Sequence, residues 1–185
     1  LYTINGGKFA ALYGAMNGQQ NVPETTDLAE AATWSESIGG VRVPGYLVTR
    51  PPAELVAGTY LLVAEDFDPN TDGPARSSVA SLITLSSTSL VLKADTGGRF
   101  VAWASSVQTG EPVTDMAVTL YDLDGTALGN ATTNTDGVAI IDTDTPFNIN
   151  AWGGDRLIAV GTTDATVAVT GADQLWRNQN SYAWG

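Results

Sequence analysis

The chain has 185 residues, of which 43% are hydrophobic and 15% charged, and its 20 acidic and 8 basic residues give a formal net charge of −12. It contains no cysteine and no histidine, which excludes disulfides, thiolate zinc sites, thiol nucleophiles and imidazole bases. Acidic residues are in excess, and Lys and Arg form no cluster in the sequence. Binding to nucleic acid or to an anionic membrane surface, which needs such a cluster, is therefore disfavoured.

The N-terminal residues predict short strands. Residues 1–4 and 8–16 are predicted as two short strands, split by Asn5-Gly6-Gly7. In the second piece side chains alternate, and Gly14 favours a strand over a helix there. Residues 41–49 contain Pro44-Gly45 and are predicted as an edge strand or two short strands, since proline cannot donate to a strand ladder.

Residues 27–34 carry the only helical signal of the chain. Asp27 can cap a helix and Glu30 follows three positions later, with good helix formers between them. This pattern predicts a short helical turn. The competing interpretation is a loop whose Leu28 and Trp34 pack against the sheets.

A hairpin is predicted next, from a strand over residues 58–64 and its partner over residues 78–85, joined by an acidic loop. The polar residues 86–89 follow and are interpreted as a hinge. The first domain is therefore predicted to cover residues 1–85.

The second domain is predicted over residues 86–175 and contains strands ended by turn residues. Asp122-Leu-Asp-Gly125 and Asn134-Thr-Asp-Gly137 are typical hairpin turns. Seven strands with short turns are typical of one β-sandwich. The predicted strands are residues 90–94, 100–107, 116–121, 127–132, 138–142, 155–162 and 166–170.

In the strand over residues 100–107, the alternation places Val101, Trp103 and Val107 on one side, which is predicted to face the core. Together these patterns predict an all-β chain of two tandem antiparallel β-sandwiches. Residues 176–185 are interpreted as a linker or as the start of a further domain. No run of about 18 apolar residues is present, so no membrane span is predicted. The start at Leu1 and the lack of a signal peptide predict a piece of a longer polypeptide.

Three motifs follow one another in a fixed order: Thr109-Gly110-x-Pro112-Val113, Tyr121-Asp122-x-Asp124-Gly125 and Thr133-x-Thr135-Asp136-Gly137. In this order they resemble a macroglobulin-type domain of the bacterial alpha-2-macroglobulins. The resemblance extends upstream to Val56-x-Gly58-Thr-Tyr-Leu-Leu-Val-Ala64 and downstream to Asp155-Arg-Leu-Ile-Ala-Val160. Transthyretin-like and collagen-adhesin-type repeat domains share a comparable order of Thr-Gly-x-Pro-Val and Thr-x-x-Asp-Gly.

Alpha-2-macroglobulins are large protease-trapping proteins built from strings of β-sandwich domains. The resemblance implies a non-catalytic, rigid module among the domains that surround a trapped protease. It also implies a periplasmic or cell-surface parent, with neighbouring domains and target proteases as partners and a bait segment elsewhere. The thioester that many members use to capture proteases needs a Cys, so it cannot lie in this chain.

The segment that most resembles a metal site is the acidic loop between residues 65 and 73. Asp68, Asn70, Asp72 and Gly73 reproduce the opening of a calcium loop, in which oxygens at alternate positions converge on a hard cation. The closing Glu is missing, because Val79 stands at its position. The same residues are common in turns, so calcium is the weaker interpretation and no cofactor is expected.

The remaining polar candidates are interpreted as structural. Asp122, Asp124 and Asp136 each lie near a turn glycine and have no partner base for acid–base catalysis. Lys93 would need an Asn on the last strand to form an isopeptide bond, and residues 166–170 contain none. Asn130-Ala-Thr132 is a glycosylation sequon that has meaning only in a eukaryotic source.

The five tryptophans are Trp34, Trp103, Trp152, Trp176 and Trp184. Trp103 is predicted to pack in the core, and the last three are interpreted as contacts between domains of a longer protein. A sugar-binding face is the alternative. The sequence therefore predicts a non-enzymatic scaffold module, and the competing hypothesis is a surface adhesin or carbohydrate-binding module, with Trp152 as its contact residue.

Overall fold

The computed structural model describes residues 1–16, 22–36, 50–51, 54–66, 78–94, 98–143 and 157–171. Within these ranges one helix and eleven strands follow one another. In chain order they are β1 (Tyr2–Ile4), α1 (Gly6–Met16), β2 (Ala29–Glu30), β3 (Gly58–Glu65), β4 (Ser78–Leu85), β5 (Thr88–Ala94), β6 (Arg99–Ser106), β7 (Ala117–Asp122), β8 (Ala127–Thr132), β9 (Val138–Asp142), β10 (Leu157–Thr162) and β11 (Val167–Gly171).

The described strands form three sheets. The N-terminal sheet has the order β2-β1-β3-β4, the middle sheet β11-β10-β7-β8, and the outer sheet β5-β6-β9. Neighbouring strands pair antiparallel in all three. The predicted antiparallel all-β class is therefore confirmed.

The larger core lies between the middle and outer sheets. Phe100 and Ala102 of β6 and Ile141 of β9 pack with Val118 and Leu120 of β7, and each of these side chains is at most 1% exposed. The two sheets also meet along both edges, where β8 lies beside β9 and β5 lies beside β11. This pair of sheets is a β-sandwich.

The other face of the middle sheet is covered as well. Phe9 and Leu12 of α1 and Leu61 of β3 pack with Ile158 and Val160 of β10 in a second core. Five of the six residues of β10 are buried, as a strand with packing on both faces requires. The molecule is therefore layered, with the outer sheet on one side of the middle sheet and α1 with the N-terminal sheet on the other.

The predicted domain boundary at residue 85 falls between β4 and β5. The described elements before it form α1 and the N-terminal sheet, and those after it form the middle and outer sheets. These two groups share the second core. The division into two domains stays a prediction.

The strand predicted over residues 8–16 is wrong, because these residues belong to α1. Asn5 caps the helix: its Oδ1 accepts a hydrogen bond from the Lys8 N–H at 2.8 Å, and its carbonyl oxygen accepts one from the Phe9 N–H at 2.8 Å. Phe9 and Leu12 then fall on one helical face, which the second core buries.

Gly14, the residue that disfavoured a helix, has a packing role in α1. A Cβ at this position would overlap the carbonyl oxygen of Leu123, in the turn between β7 and β8. The glycine therefore allows the helix axis to approach this turn closely, at the expense of helix propensity. The alternation of apolar residues could not reveal this contact.

The helical turn predicted over residues 27–34 is also wrong. The Leu28 N–H donates to the Thr25 carbonyl at 3.0 Å, which closes a turn, and β2 then pairs with β1. The Ala31 N–H donates to the Leu1 carbonyl at 2.8 Å. The backbone of this segment therefore forms its hydrogen bonds with Leu1 and β1, whereas in a helix it would form them within the segment itself. Leu28 packs against the second core, as the competing interpretation expected.

The strands predicted over residues 58–64 and 78–85 form the expected hairpin pair β3 and β4. The strands of the second half are present too, with ends that move by two residues or fewer within the described ranges. Residues 41–49, 155–156 and 176–185 lie outside the described residues.

Candidate functional site

The turn between β7 and β8 uses Asp122 as a structural acceptor. Its Oδ1 accepts hydrogen bonds from the backbone N–H of Asp124 at 3.0 Å and of Thr126 at 2.7 Å. Gly125 has a φ of 86°, which glycine adopts without strain. One carboxylate oxygen of Asp122 is thus committed to closing the hairpin.

The turn between β8 and β9 uses Asn134 in the same way. Its Oδ1 accepts from the N–H groups of Asp136 and Val138, both at 2.9 Å. Gly137 follows with a φ of 73° and packs tightly, since a Cβ there would overlap the Ala104 carbonyl oxygen and lie 3.1 Å from the Pro112 Cβ. The first and third motifs of the sequence therefore pack against each other at this end of the sandwich.

Thr133 ties these motifs together. Its hydroxyl donates to the Val113 carbonyl at 2.8 Å and accepts from the Met116 N–H at 2.9 Å. Thr133 is 2% exposed; its hydrogen bond with the Met116 N–H is buried, and the one to the Val113 carbonyl is partly buried. We call Val113, Met116 and Thr133 the Thr133 junction.

Asp122, Asp124 and Asp136 lie in turns, as the sequence predicted, and they do not converge. In the register of the β7–β8 hairpin, Tyr121 faces Ala127 and Ala117 faces Thr132. The first two carboxylates are therefore at one end of this hairpin and Asp136 is at the other. Within the described ranges no three acidic residues are grouped so that they could hold a metal ion.

The calcium candidates Asp68, Asn70 and Asp72 lie outside the described residues. Val79, which occupies the position of the missing closing ligand, lies on β4 opposite Ala64 and is exposed. The side chain of a valine supplies no oxygen in place of the bidentate Glu that closes a calcium loop. The structural turn stays the prediction for this loop, and calcium binding stays the weaker interpretation.

Lys93 lies near the end of β5, opposite Val101, and is exposed. The strand beside β5 across the sandwich edge is β11, whose sequence is Val-Ala-Val-Thr-Gly. It carries no Asn to condense with the lysine.

The prediction that Val101, Trp103 and Val107 face the core is wrong. The structure buries Phe100 and Ala102 instead, and exposes Val101, Trp103 and Val107. Both alternating sets of β6 are apolar, and side chains of neighbouring positions point to opposite faces, so a shift of one residue exchanges core and solvent. The fully buried aromatic ring of Phe100 decides the orientation.

A signal for the correct orientation was present in the sequence. Arg99 lies on the same side of β6 as Val101 and Trp103, because every second residue of a strand shares one side. Lys93 on β5 lies opposite Val101. A charged side chain marks the solvent side of a strand better than an apolar one marks the core. These two charges, given more weight than the apolar alternation, indicate the orientation that the structure has.

The exposed side of the outer sheet carries an apolar patch. Val91 lies opposite Trp103, and Val101 lies opposite Ile140. The exposed fractions of Val91, Trp103, Val101 and Ile140 are 41%, 57%, 39% and 57%, respectively. We call these four residues the outer face.

The outer face is bordered at one end by charge. The Arg99 Nε donates to Asp142 Oδ1 at 2.8 Å, and Arg99 and Asp142 face each other in the register of β6 and β9. Both side chains are well exposed, so the ion pair contributes little to stability. Lys93 extends the border onto β5. The outer face is thus an exposed apolar surface among the described residues, of a kind that suits an interaction.

Trp34 is partly buried in the described residues, whereas Trp152, Trp176 and Trp184 lie outside them. No described helix is long and apolar enough to cross a lipid bilayer.

No protein-family model matches the sequence, and no curated protein is significantly similar to it. Among solved structures, the chain is similar to native alpha-2-macroglobulin from Escherichia coli spanning domains NIE-MG1, with 20% identity and a TM-score of 0.45 over 62% of this chain and 49% of that chain. A structure of the same protein spanning domains MG0-NIE-MG1 gives 18% identity and a TM-score of 0.42 over 62% of this chain and 33% of that chain. The similarity is distant, and the chain matches about half the length of the first structure.

Proposed function

We propose that the chain is a non-catalytic structural module of a larger, alpha-2-macroglobulin-like protease-trapping protein of the periplasm or cell surface. The proposal depends on one observation. The polar residues of the three ordered motifs are used in turns and in the Thr133 junction, where they accept or donate backbone hydrogen bonds. A sequence pattern that specifies backbone geometry describes a scaffold rather than a reaction centre.

The layered packing supports the same role. The middle sheet is covered on both faces, so the outer sheet and the N-terminal sheet are held to one central layer. Such a block suits a module that keeps neighbouring domains at fixed positions. In the proposed parent protein its partners are those neighbouring domains, and target proteases are met only through the assembled protein. The module needs no metal or cofactor for this role.

Protease inhibition by the chain alone is the direct test. The chain is mixed in molar excess with a serine protease and with a metalloprotease, and cleavage is followed with a large protein substrate and a small peptide substrate. We expect unchanged rates with both substrates, because the bait segment lies elsewhere. Selective loss of activity on the large substrate would contradict a scaffold role for this chain.

The coding sequence on either side provides the second test. The proposal expects further β-sandwich modules, together with a bait segment between two of them. A flanking sequence with a cell-wall anchor and repeated adhesin modules, and without a bait segment, would contradict it.

The exposure of Trp103 is the observation that supports the carbohydrate-binding alternative. An aromatic ring on a flat sheet surface can stack on a sugar ring. Glycan array binding of the chain and of its Trp103→Ala variant separates the two functions. A scaffold module is expected to bind no glycan with a dissociation constant below about 1 mM, which corresponds to about 4 kcal/mol. Glycan binding that Trp103→Ala abolishes would establish the alternative.

A further inference from the structure

Strand β4 lies at one edge of the N-terminal sheet. It pairs with β3 over its full length, from Ser78 to Leu85, and among the described residues no strand pairs with its other side. Every second backbone N–H and C=O group of an edge strand points away from the sheet, where it can pair with another extended chain. The partner that this edge suits is therefore a further β-strand.

The other edges of the described sheets are short or lie beside another strand. Where the middle and outer sheets meet, β8 lies beside β9 and β5 lies beside β11, and β2 has only two residues. β11 also comes close to β4, but the two strands meet through the second core, to which Val169 and Leu82 both belong. Within the described ranges β4 is thus the long edge strand that no other strand continues.

β4 lacks the features that usually keep edge strands from pairing. Its sequence, Ser-Val-Ala-Ser-Leu-Ile-Thr-Leu, contains no charged residue, no proline and no glycine, and its register with β3 is continuous. Natural edge strands are commonly protected by a charge, a proline or a bulge. The chain as a whole has a net charge of −12, so this uncharged strand is a place where a second acidic molecule can approach closely.

The sequence of β4 is symmetric in chemical character about Ser81. Residues at equal distances from Ser81 are both apolar, then both β-branched, then both hydroxyl-bearing. These pairs are Ala80 and Leu82, Val79 and Ile83, and Ser78 and Thr84. Two such strands, antiparallel with Ser81 opposite Ser81, match at every position, since Thr–Ser pairs stabilise a sheet and β-branched side chains pack well on a pleated surface.

This pairing also keeps the two faces of the sheet distinct. Ala80 and Leu82 pack against the second core, so Val79, Ser81 and Ile83 lie on the other face of β4. With Ser81 opposite Ser81, residues of the core-facing set meet only residues of that set. Val79, which is 65% exposed, would lie opposite Ile83 of the second copy.

We propose that the chain forms a dimer in which the β4 strands of two copies pair antiparallel about a two-fold axis at Ser81. The two four-stranded N-terminal sheets then join into one. The occupant is a second copy because the match about Ser81 is that of the strand with itself, as an interface on a two-fold axis requires. This inference does not depend on the proposed function, since it concerns only one strand of the chain and its copy.

The dimer is weak. A single pair of edge strands buries less than the about 800 Å² on each partner that a stable complex of free proteins needs. Each copy also carries a net charge of −12, which opposes association. The test therefore uses a covalent trap first and an equilibrium measurement second.

Because the chain has no native cysteine, an introduced thiol reports the register of the pair. Ser81→Cys, Val79→Cys and Ile83→Cys are made singly in the full chain, and disulfide formation is followed by non-reducing electrophoresis. Ser81→Cys is expected to cross-link with itself, because opposite residues of antiparallel strands have Cα atoms about 4.5–5.5 Å apart, within reach of a disulfide. Two copies of Val79→Cys lie about 14 Å apart along the pair, so this variant should cross-link only when it is mixed with Ile83→Cys.

We expect Ser81→Cys to cross-link at least about tenfold faster than Val79→Cys, since pairing raises the effective concentration of the two thiols. Val79→Cys is the matched control, because its side chain is 65% exposed on the same strand and reports random collisions. Equal rates for the two variants would overturn the proposal. A Ser81→Cys variant that does not cross-link would overturn it too, and would indicate that something other than a second copy covers the edge of β4.

Sedimentation equilibrium of the chain without cysteine gives the second readout. The average mass is expected to rise with concentration toward that of two copies, and to rise further in high salt, which screens the repulsion. Ser81→Lys should abolish the rise, because it puts like charges opposite each other although it lowers the net negative charge of the chain. Ser81→Thr is the control and should keep the rise. A mass that stays at one copy for the native chain, or a rise that Ser81→Lys leaves unchanged, would contradict the proposal.

Discussion

Trp103 on β6 lies directly opposite Val91 on β5, on the side of the outer sheet that points away from the sandwich core. Phe100, three residues earlier on the same strand, points into that core and is fully buried. The two aromatic rings of β6 thus have opposite environments, although the sequence around them is apolar throughout. This difference gives the first prediction.

Replacing each ring by alanine separates the two faces of β6. Phe100→Ala removes a fully buried ring and is expected to lower the free energy of unfolding by about 3–5 kcal/mol. Trp103→Ala removes an exposed ring and is expected to cost less than about 1 kcal/mol. Urea denaturation followed by circular dichroism measures both. A larger loss for Trp103→Ala than for Phe100→Ala would show that the assigned orientation of β6 is wrong.

The Thr133 junction predicts a large effect for a change of nearly constant volume. Thr133→Val removes the hydroxyl that bonds to the Val113 carbonyl and to the Met116 N–H, and leaves both backbone groups without this partner. The expected loss of unfolding free energy is about 1–3 kcal/mol. Thr132→Val, the same change at the exposed neighbouring position on β8, is the matched control and should stay within about 0.5 kcal/mol. Similar losses for the two variants would argue against a structural role of the hydroxyl.

Gly110 and Gly137 have the same φ of 73° but different surroundings. Their alanine variants therefore distinguish the cost of backbone strain from the cost of steric overlap. At Gly110 an added Cβ would meet no heavy atom within 4 Å, so Gly110→Ala should cost only the left-handed penalty of about 1–2 kcal/mol. Gly137→Ala should cost clearly more, because the added Cβ would overlap the Ala104 carbonyl oxygen. Thermal denaturation of the pair gives the difference directly. Equal midpoints would mean that the turn between β8 and β9 does not pack closely on β6.

In helix α1 the replacement of a glycine by alanine is expected to destabilise the protein, which is the opposite of what helix propensity predicts. An alanine is more favourable than a glycine within a helix by about 1 kcal/mol, and Ala15→Gly at an exposed position should destabilise the protein by this amount. Gly14→Ala should also destabilise it, although propensity alone predicts a gain, because the Cβ would overlap the Leu123 carbonyl oxygen. Unfolding free energies of the two variants provide the measurement. A gain in stability for Gly14→Ala would contradict the close contact between α1 and the β7–β8 turn.

The strands could be predicted from the sequence because their limits are local. Asp122, Gly125, Asn134 and Gly137 close turns through hydrogen bonds and dihedral angles that involve only a few neighbouring residues. Such signals are visible without any knowledge of the rest of the fold. The position of the Asp122 and Asp136 turns was predicted for the same reason.

Helix α1 and the orientation of β6 were missed because tertiary contacts decide them. Gly14 of α1 indicates a helix breaker until the close approach of Leu123 shows why a glycine is needed there. The valines and tryptophan of β6 read as core until Phe100 is seen to occupy it. The outer face could not be predicted while these side chains were assigned to the core. The charges of Lys93 and Arg99 were the local clue that could have revealed it.

The burial of β10 on both sides has a consequence for any attempt to divide the molecule. A chain that begins at residue 86 would keep the sandwich but expose Ile158, Val160 and Val167 to water along one flank. Hydrophobic side chains of neighbouring strands, laid bare in this way, attract other molecules. Such a shortened protein is expected to associate with itself in solution, and adding back residues 1–85 as a separate polypeptide should return it to a discrete complex of one copy of each.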